Sequence, residues 1–160
     1  MLLAAALVFA AGCSGPGDVV HLYDPVPVPF VPDHTESVPA TGTPPDGRYW
    51  ATIAAVDESA GTITFTFVQA TFDADGGMTI DDQPSREIVA SSTTLKFLSV
   101  ATKTRQNYAV FADEMIRLEL GKKPNEKAPL DFVYVRYPLL VTVEGGVITE
   151  AYQIWLEGES

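Results

Sequence analysis

The most regular alternation of apolar and polar residues lies in Thr62–Val68, where Ile and two Phe residues alternate with three threonines. Successive side chains of a strand point to opposite faces of a sheet, so this pattern predicts a half-buried β-strand. Tyr49–Asp57 alternates in a similar way, and the small and polar residues 58–61 separate the two segments. The sequence therefore predicts a β-hairpin in this region.

A second hairpin is predicted near the C-terminus. Leu139–Glu144 and Val147–Leu156 are rich in β-branched and large apolar residues, and they flank the pair Gly145-Gly146. Two glycines supply the positive φ angles that a two-residue hairpin turn requires. Phe132–Tyr137 is aromatic and β-branched and predicts a further strand before this hairpin.

The middle of the chain has weaker signals. Arg86–Ala90 and Thr94–Leu98 are candidates for short strands, with a turn predicted at Asp73–Gly77. Phe111–Leu120 is a helix candidate, because Phe111, Met115 and Leu118 recur at helical spacing on one face and Gly121 is placed to cap the C-terminal end. We therefore expect a mostly β domain over residues 46–160, with one short helix. Its strands form an antiparallel sheet or small barrel of about five to seven strands.

The N-terminus predicts export and lipid attachment. Leu2–Ala11 is an uninterrupted apolar run, too short to span a bilayer but typical of a signal peptide. Small residues then precede Cys13, as in the lipobox of bacterial lipoproteins, where the cysteine is acylated and becomes the new N-terminus. We expect residues 1–12 to be a signal peptide and Cys13 to carry the acyl chains, such as palmitate, that hold the protein on the membrane. The first basic residue is Arg48, so we expect the true translation start to lie upstream.

Residues 13–45 predict an extended tether between this anchor and the domain. Eight of the 12 prolines lie in this segment, and alternating prolines exclude both a regular helix and a central strand. A polyproline II spacer of 32 residues reaches roughly 100 Å when fully stretched. Two alternatives remain open: the prolines form a docking site for an aromatic groove, or Val26, Val28 and Phe30 lie on the domain as an edge segment.

The composition of the chain limits the classes of partner and of functional site that the sequence supports. The net charge of −11 opposes nucleic-acid binding, which needs clustered Lys and Arg. A lone cysteine permits no disulfide within the chain. The acidic pattern from Asp73 to Asp82 does not match a calcium loop, since Met78 and Pro84 occupy the positions that need Gly and Glu. The two histidines, His21 and His34, both lie in the tether, so we assign no catalytic residue, no metal site and no cofactor.

Aromatic residues give the best remaining site prediction. Strand alternation puts Tyr49 and Trp50 on opposite faces of the sheet, so one of them is available to line a groove. We predict that Trp50, Tyr134 and Trp155 border a site for a ligand or partner protein of the cell envelope.

Two segments carry a family resemblance. They are residues 46–57 (DGRYWATIAAVD), continued by Gly61–Phe65, and residues 137–150 (YPLLVTVEGGVITE). Here the chain resembles a group of small exported proteins of actinobacteria and other Gram-positive bacteria, to which no activity is assigned. The resemblance implies a β-rich domain outside the cytoplasmic membrane, with a short helix before the last hairpin.

We therefore expect a lipid-anchored cell-envelope protein on the extracytoplasmic face of the membrane, acting as a binding or sensing module and not as an enzyme. The first alternative is a hydrolase that uses carboxylates, chosen from the 21 acidic residues. The second is a structural spacer of the envelope that meets no ligand.

Overall fold

A computed structural model of the chain describes residues 19–27, 42–72, 78–91, 94–102 and 106–154. Within these residues the protein is mostly β with a single short helix, as the sequence predicts. The elements are β1 (Pro25–Val26), β2 (Gly47–Asp57), β3 (Thr62–Phe72), β4 (Met78–Ser91), β5 (Phe97–Ala101), β6 (Asn107–Val110), α1 (Ala112–Glu119), β7 (Leu139–Glu144) and β8 (Val147–Gln153).

The described strands form one eight-stranded sheet in the order β1-β6-β5-β8-β7-β2-β3-β4. All neighbouring strands are antiparallel except β5 and β8, which run parallel. The strands β1 and β4 lie at the two edges, so the sheet is open and does not close on itself.

Both predicted hairpins are present. In β3 the side chains of Ile63, Phe65 and Phe67 are buried, while the intervening threonines are partly exposed. The β7–β8 turn has positive φ angles at both Gly145 and Gly146, 58° and 79°. These are the angles that a glycine adopts without steric cost.

The strand predicted at Phe132–Tyr137 is wrong. This segment is irregular, and the carbonyl of Val135 accepts a hydrogen bond from the Gln153 side chain, not from the backbone of a strand. The sheet nevertheless exceeds the expected strand number, because β6 was not predicted and β1 corresponds only to an alternative left open for the tether.

The helix prediction is confirmed with one correction. Gly121 has a φ of 70° and donates its N–H to the carbonyl of Leu118, so the chain leaves the helix through a glycine. Phe111, expected on the buried face, precedes the helix and is 50% exposed. Met115 and Leu118 are buried as expected, together with Ile116.

The edge strand β4 is much longer than the short strand expected at Arg86–Ala90. Its pairing with β3 shifts between Phe67 and Gln69: Phe67 faces Arg86, but Gln69 faces Asp81. This irregularity increases the local bend of the hairpin. The turn predicted at Asp73–Gly77 lies outside the described residues.

The two faces of the sheet are covered by different elements. The larger core lies between the sheet and α1, and it includes Tyr49, Phe65, Leu98, Met115 and Ile148. On the opposite face Trp50, Leu140 and Ile154 form a smaller core. The far end of the β3–β4 hairpin contributes Val68, Ala70 and Met78 to it.

The folded unit also includes part of the expected tether. Residues 22–27 pack on the domain, with Tyr23 only 5% exposed and Val26 partly buried in β1. This agrees with the edge-segment alternative for Val26, while Val28 and Phe30 lie outside the described residues. The folded domain therefore includes residues that precede the predicted boundary at residue 46.

Candidate functional site

The residues predicted to border a ligand site occupy different environments. Trp50 is fully buried and packs with Leu140 and Ile154 in the smaller core. A side chain without exposed surface contacts no ligand directly, so Trp50 is a core residue in this structure. Trp155 and the predicted lipidation site Cys13 lie outside the described residues.

Tyr134 is partly buried and lies in the irregular segment before β7. Its hydroxyl donates a short hydrogen bond to Oε1 of Glu119, at the C-terminal end of α1. Burial raises the pKa of the Tyr134 hydroxyl well above its usual range, and the hydrogen bond to the Glu119 carboxylate adds to this shift. Tyr134 therefore stays protonated and acts as a hydrogen-bond donor.

Glu119 is the centre of this polar cluster. Its side chain is only 5% exposed, and its second oxygen, Oε2, lies 2.9 Å from Nε of Arg136. The Nη2 group of Arg136 also donates to the backbone carbonyl of Glu119, at 2.9 Å. Both carboxylate oxygens are therefore occupied, as a buried charge requires. The guanidinium also lies where a cation is favourable, at the C-terminal end of a helix.

Gln153 connects this cluster to the strands β5 and β6. Its Nε2 lies 3.5 Å from the Tyr134 hydroxyl and its Oε1 accepts the backbone N–H of Ala101, at 3.1 Å. The backbone carbonyl of Gln153 accepts from Nδ2 of Asn107, which also donates to Ser99. Because these groups are buried and hydrogen-bonded, they hold the Tyr134 side chain in one orientation.

Glu119 and Arg136 line a cavity of about 290 Å³ between α1 and the sheet. The other walls are Thr52, Ile53, Ile80, Tyr137, Pro138 and Leu139. The Arg136 side chain is 72% exposed, so the guanidinium lies at the rim while the Glu119 carboxylate lies inside. A mostly apolar cavity with a few fixed polar groups is typical of small-molecule sites, and this one is at the small end of their size range.

A second cavity, of about 420 Å³, lies where β5 and β6 meet the start of α1. Its walls include Phe97, Phe111 and Asp113, and Lys96 forms an exposed ion pair with Glu144 at 2.8 Å. Both partners of that pair are more than half exposed. Such a pair is only weakly fixed in position, and this cavity is the poorer candidate site.

Within the described part of the chain, no group of three His, Cys, Asp or Glu side chains is placed to hold a metal ion. The same residues contain no helix that is long and apolar enough to cross a bilayer.

Tyr134 was predicted to border a ligand site; it bonds to Glu119 but is not among the residues that line the cavity. Glu119, Arg136 and Gln153 were not predicted from the sequence. The helical periodicity places Glu119 next to apolar positions of α1, but it does not show which long-range partner would compensate its charge. Arg136 follows Glu119 by 17 residues and meets it only because the segment before β7 folds back along the helix.

Comparison of the chain with protein-family models, curated proteins and solved structures finds no significant match.

Proposed function

We propose that this protein is a lipid-anchored binding module of the bacterial cell envelope, and that the cavity beside Glu119 and Arg136 is its ligand site. The observation that carries the site is the arrangement of this pair at the mouth of an apolar cavity. Glu119 holds the exposed guanidinium of Arg136 through two contacts of 2.9 Å. The rim of the cavity therefore presents donors in a preorganised position.

The chemistry of the cavity defines the ligand class. A guanidinium has five N–H donors, and two of its nitrogens contact Glu119. The remaining donors suit a carboxylate, which guanidinium groups bind through paired hydrogen bonds. The walls made by Ile53, Ile80 and Leu139 suit a short apolar chain or ring. The ligand is therefore a small carboxylic acid with an apolar body.

Binding is favoured over carboxylate catalysis by the state of the acid in this cavity. Among the described residues that line it, Glu119 is the single carboxylate, and both of its oxygens have protein partners. Acid–base hydrolysis of a glycosidic bond needs two carboxyl groups about 5–9.5 Å apart on either side of the bond. Glu119 instead positions Arg136.

The membrane address is supported by the apolar run Leu2–Ala11 and the small residues before Cys13. Mass spectrometry of the membrane fraction tests it. We expect the peptide that begins at Cys13 to carry acyl chains, and we expect Cys13→Ser to move the protein out of this fraction. An unmodified peptide spanning residues 8–18 in the wild-type protein would refute the anchor.

The ligand site is tested separately, with a panel of small apolar carboxylic acids and their primary amides, followed by NMR chemical shifts. We expect saturable shifts around Ile53 and Leu139 for acids, and much weaker shifts for the matching amides. Ile53→Trp fills the cavity and should abolish them. Arg136→Lys keeps the charge but loses the planar fork, and should weaken acid binding at least tenfold.

Lys96→Ala is the matched control, because it removes a cation from the other cavity. It should leave acid binding unchanged. If acids and amides bind equally, or if Arg136→Lys has the same affinity as the wild type, the proposed site is wrong.

A further inference from the structure

The segment before the domain is attached to the sheet by backbone hydrogen bonds. Tyr23 donates its N–H to the carbonyl of Ala109 at 2.7 Å, and Ala109 donates to the carbonyl of Asp24 at 2.9 Å. The strand β1 then pairs antiparallel with β6, and the side chain of Gln106 donates to the carbonyl of Val26 at 3.3 Å. Residues 22–27, which we call the docked arm, thus extend the edge of the sheet.

The Tyr23 side chain fixes the docked arm in the core. Its ring packs edge-on against Phe132, with the ring centres 4.9 Å apart. Its hydroxyl donates to Oε1 of the buried Glu114 at 2.5 Å. Burial of a large aromatic ring with a satisfied hydroxyl stabilises such a contact strongly.

The backbone of Tyr23 supports the same conclusion. Its φ is 66°, a left-handed conformation that costs a residue with a side chain roughly 1–2 kcal/mol. A tight turn holds this conformation: the Asp24 carboxylate accepts the N–H of His21, and the carbonyl of His21 accepts the N–H of Asp24. A strained residue persists only where surrounding contacts specify it, so the arm belongs to the folded domain.

Docking changes the distance between the predicted anchor and the domain. Leu22, the first residue of the arm that packs against the core, follows Cys13 by nine residues, and nine residues cover about 28 Å at the polyproline II rise. The tether expected from sequence, 32 residues without contacts to the domain, would span roughly 100 Å. Residues 28–41 join the docked arm to residues 42–45, where the carbonyl of Pro45 accepts a hydrogen bond from the Tyr49 hydroxyl. Because both flanking segments lie on the domain, the number of residues between them does not add to this reach.

We propose that the docked arm sets the spacing between the membrane and the domain, so that this distance depends on the number of residues between Cys13 and Leu22 and not on the number between Val26 and Gly42. This proposal rests on the lipid anchor proposed above. The docked arm then lies within about 28 Å of covalent chain from the anchor.

Two matched insertions test the proposal by neutron reflectometry of the protein on a supported bilayer. A stiff ten-residue proline-rich segment is inserted either after Gly15 or after Thr35. The first insertion lengthens the spacer and should raise the domain by up to ~30 Å. The second lengthens only the segment between Val26 and Gly42 and should leave the height of the domain unchanged.

The proposal is overturned if both insertions raise the domain equally, because the arm is then undocked. It is also overturned if neither does, because the length of residues 13–21 then does not set the spacing. Failure of the anchor is a distinct outcome: the protein then does not attach to the bilayer. In that case its only thiol, Cys13, is coupled to a maleimide lipid, and the same two insertions still test the docked arm.

Discussion

The hydroxyl of Tyr23 donates a 2.5 Å hydrogen bond to the buried carboxylate of Glu114, which follows it by 91 residues. The same oxygen of Glu114 accepts the backbone N–H of Asn125 at 2.8 Å. The docked arm, the first turn of α1 and the segment after the helix therefore meet at one carboxylate. At the other end of α1, Tyr134 donates to Glu119 in the same way.

We predict that Tyr23→Phe lowers the free energy of unfolding by about 1.5–3 kcal/mol, the usual range for a hydrogen bond to a charged group. The substitution keeps the ring but leaves the Glu114 oxygen with Asn125 as its remaining partner. Urea unfolding followed by fluorescence measures the change.

Tyr108→Phe is the matched control for this substitution. Tyr108 also packs edge-on against Phe132, and its hydroxyl has no hydrogen bond among the described residues. Its loss should change the free energy of unfolding by no more than about 0.5 kcal/mol. Equal effects of the two substitutions would show that the Tyr23–Glu114 bond contributes nothing specific.

Alkaline pH should destabilise the protein through the two tyrosines bonded to the helix carboxylates. Burial, followed by the hydrogen bond to a carboxylate, raises the pKa of both Tyr23 and Tyr134 well above the usual value near 10. The unfolded chain then releases protons above pH 10 while the folded protein retains them. The contribution of these two tyrosines to the free energy of unfolding is therefore fully present below about pH 10. Above pH 10 it falls by up to ~1.4 kcal/mol per pH unit for each tyrosine.

Urea unfolding at pH 9, 10 and 11 checks this prediction. Tyr134→Phe should be less stable than the wild type at pH 9, and its stability should fall less steeply above pH 10. A stability profile that is flat between pH 9 and 11 in the wild type would contradict the proposed role of these hydroxyls.

The parts of the fold that sequence predicted are those that depend on neighbours along the chain. The alternation in Thr62–Val68 fixes which face of β3 is buried, and Gly145-Gly146 fixes the turn between β7 and β8. Both signals act over a few residues, so a single sequence is sufficient to identify them. The helix could be predicted for the same reason.

The parts that sequence missed depend on distant partners. Proline spacing predicts an extended tether, but it indicates neither the turn at His21–Asp24 nor the hydrogen bond between Tyr23 and Glu114. Likewise, an acidic residue in the first turn of a helix has a sufficient local explanation in the helix dipole. Glu114 occupies such a position, yet it is 4% exposed because the docked arm covers it. The Glu119–Arg136 pair was missed for the same reason.

Trp50→Ala should destabilise the protein by about 3–5 kcal/mol, the cost of removing a large buried aromatic side chain. Trp50 has no exposed surface and packs against Leu140 and Ile154. Thermal or urea unfolding measures the effect. Trp50→Phe keeps part of the contact and should cost less than half as much.

Phe111→Ala serves as the control for the loss of an aromatic ring, since Phe111 is 50% exposed. It should cost about 1 kcal/mol or less. If Trp50→Ala lowers the free energy of unfolding no more than Phe111→Ala does, Trp50 is not a core residue. The result would then favour the prediction that Trp50 borders a ligand groove.

The two glycines of the β7–β8 turn should respond differently to alanine. Gly145 has a φ of 58° and open space where a Cβ would lie, so Gly145→Ala costs only the left-handed backbone, roughly 1–2 kcal/mol. A Cβ at Gly146 would overlap the methyl carbon of Thr43, so Gly146→Ala adds a clash to the same backbone cost.

Thr43→Ser removes that methyl group. We therefore expect Gly146→Ala to be the more destabilising substitution, and we expect Thr43→Ser to reduce its cost towards that of Gly145→Ala. A double-mutant cycle by urea unfolding measures this coupling, and strictly additive effects would mean that Thr43 does not pack on the turn.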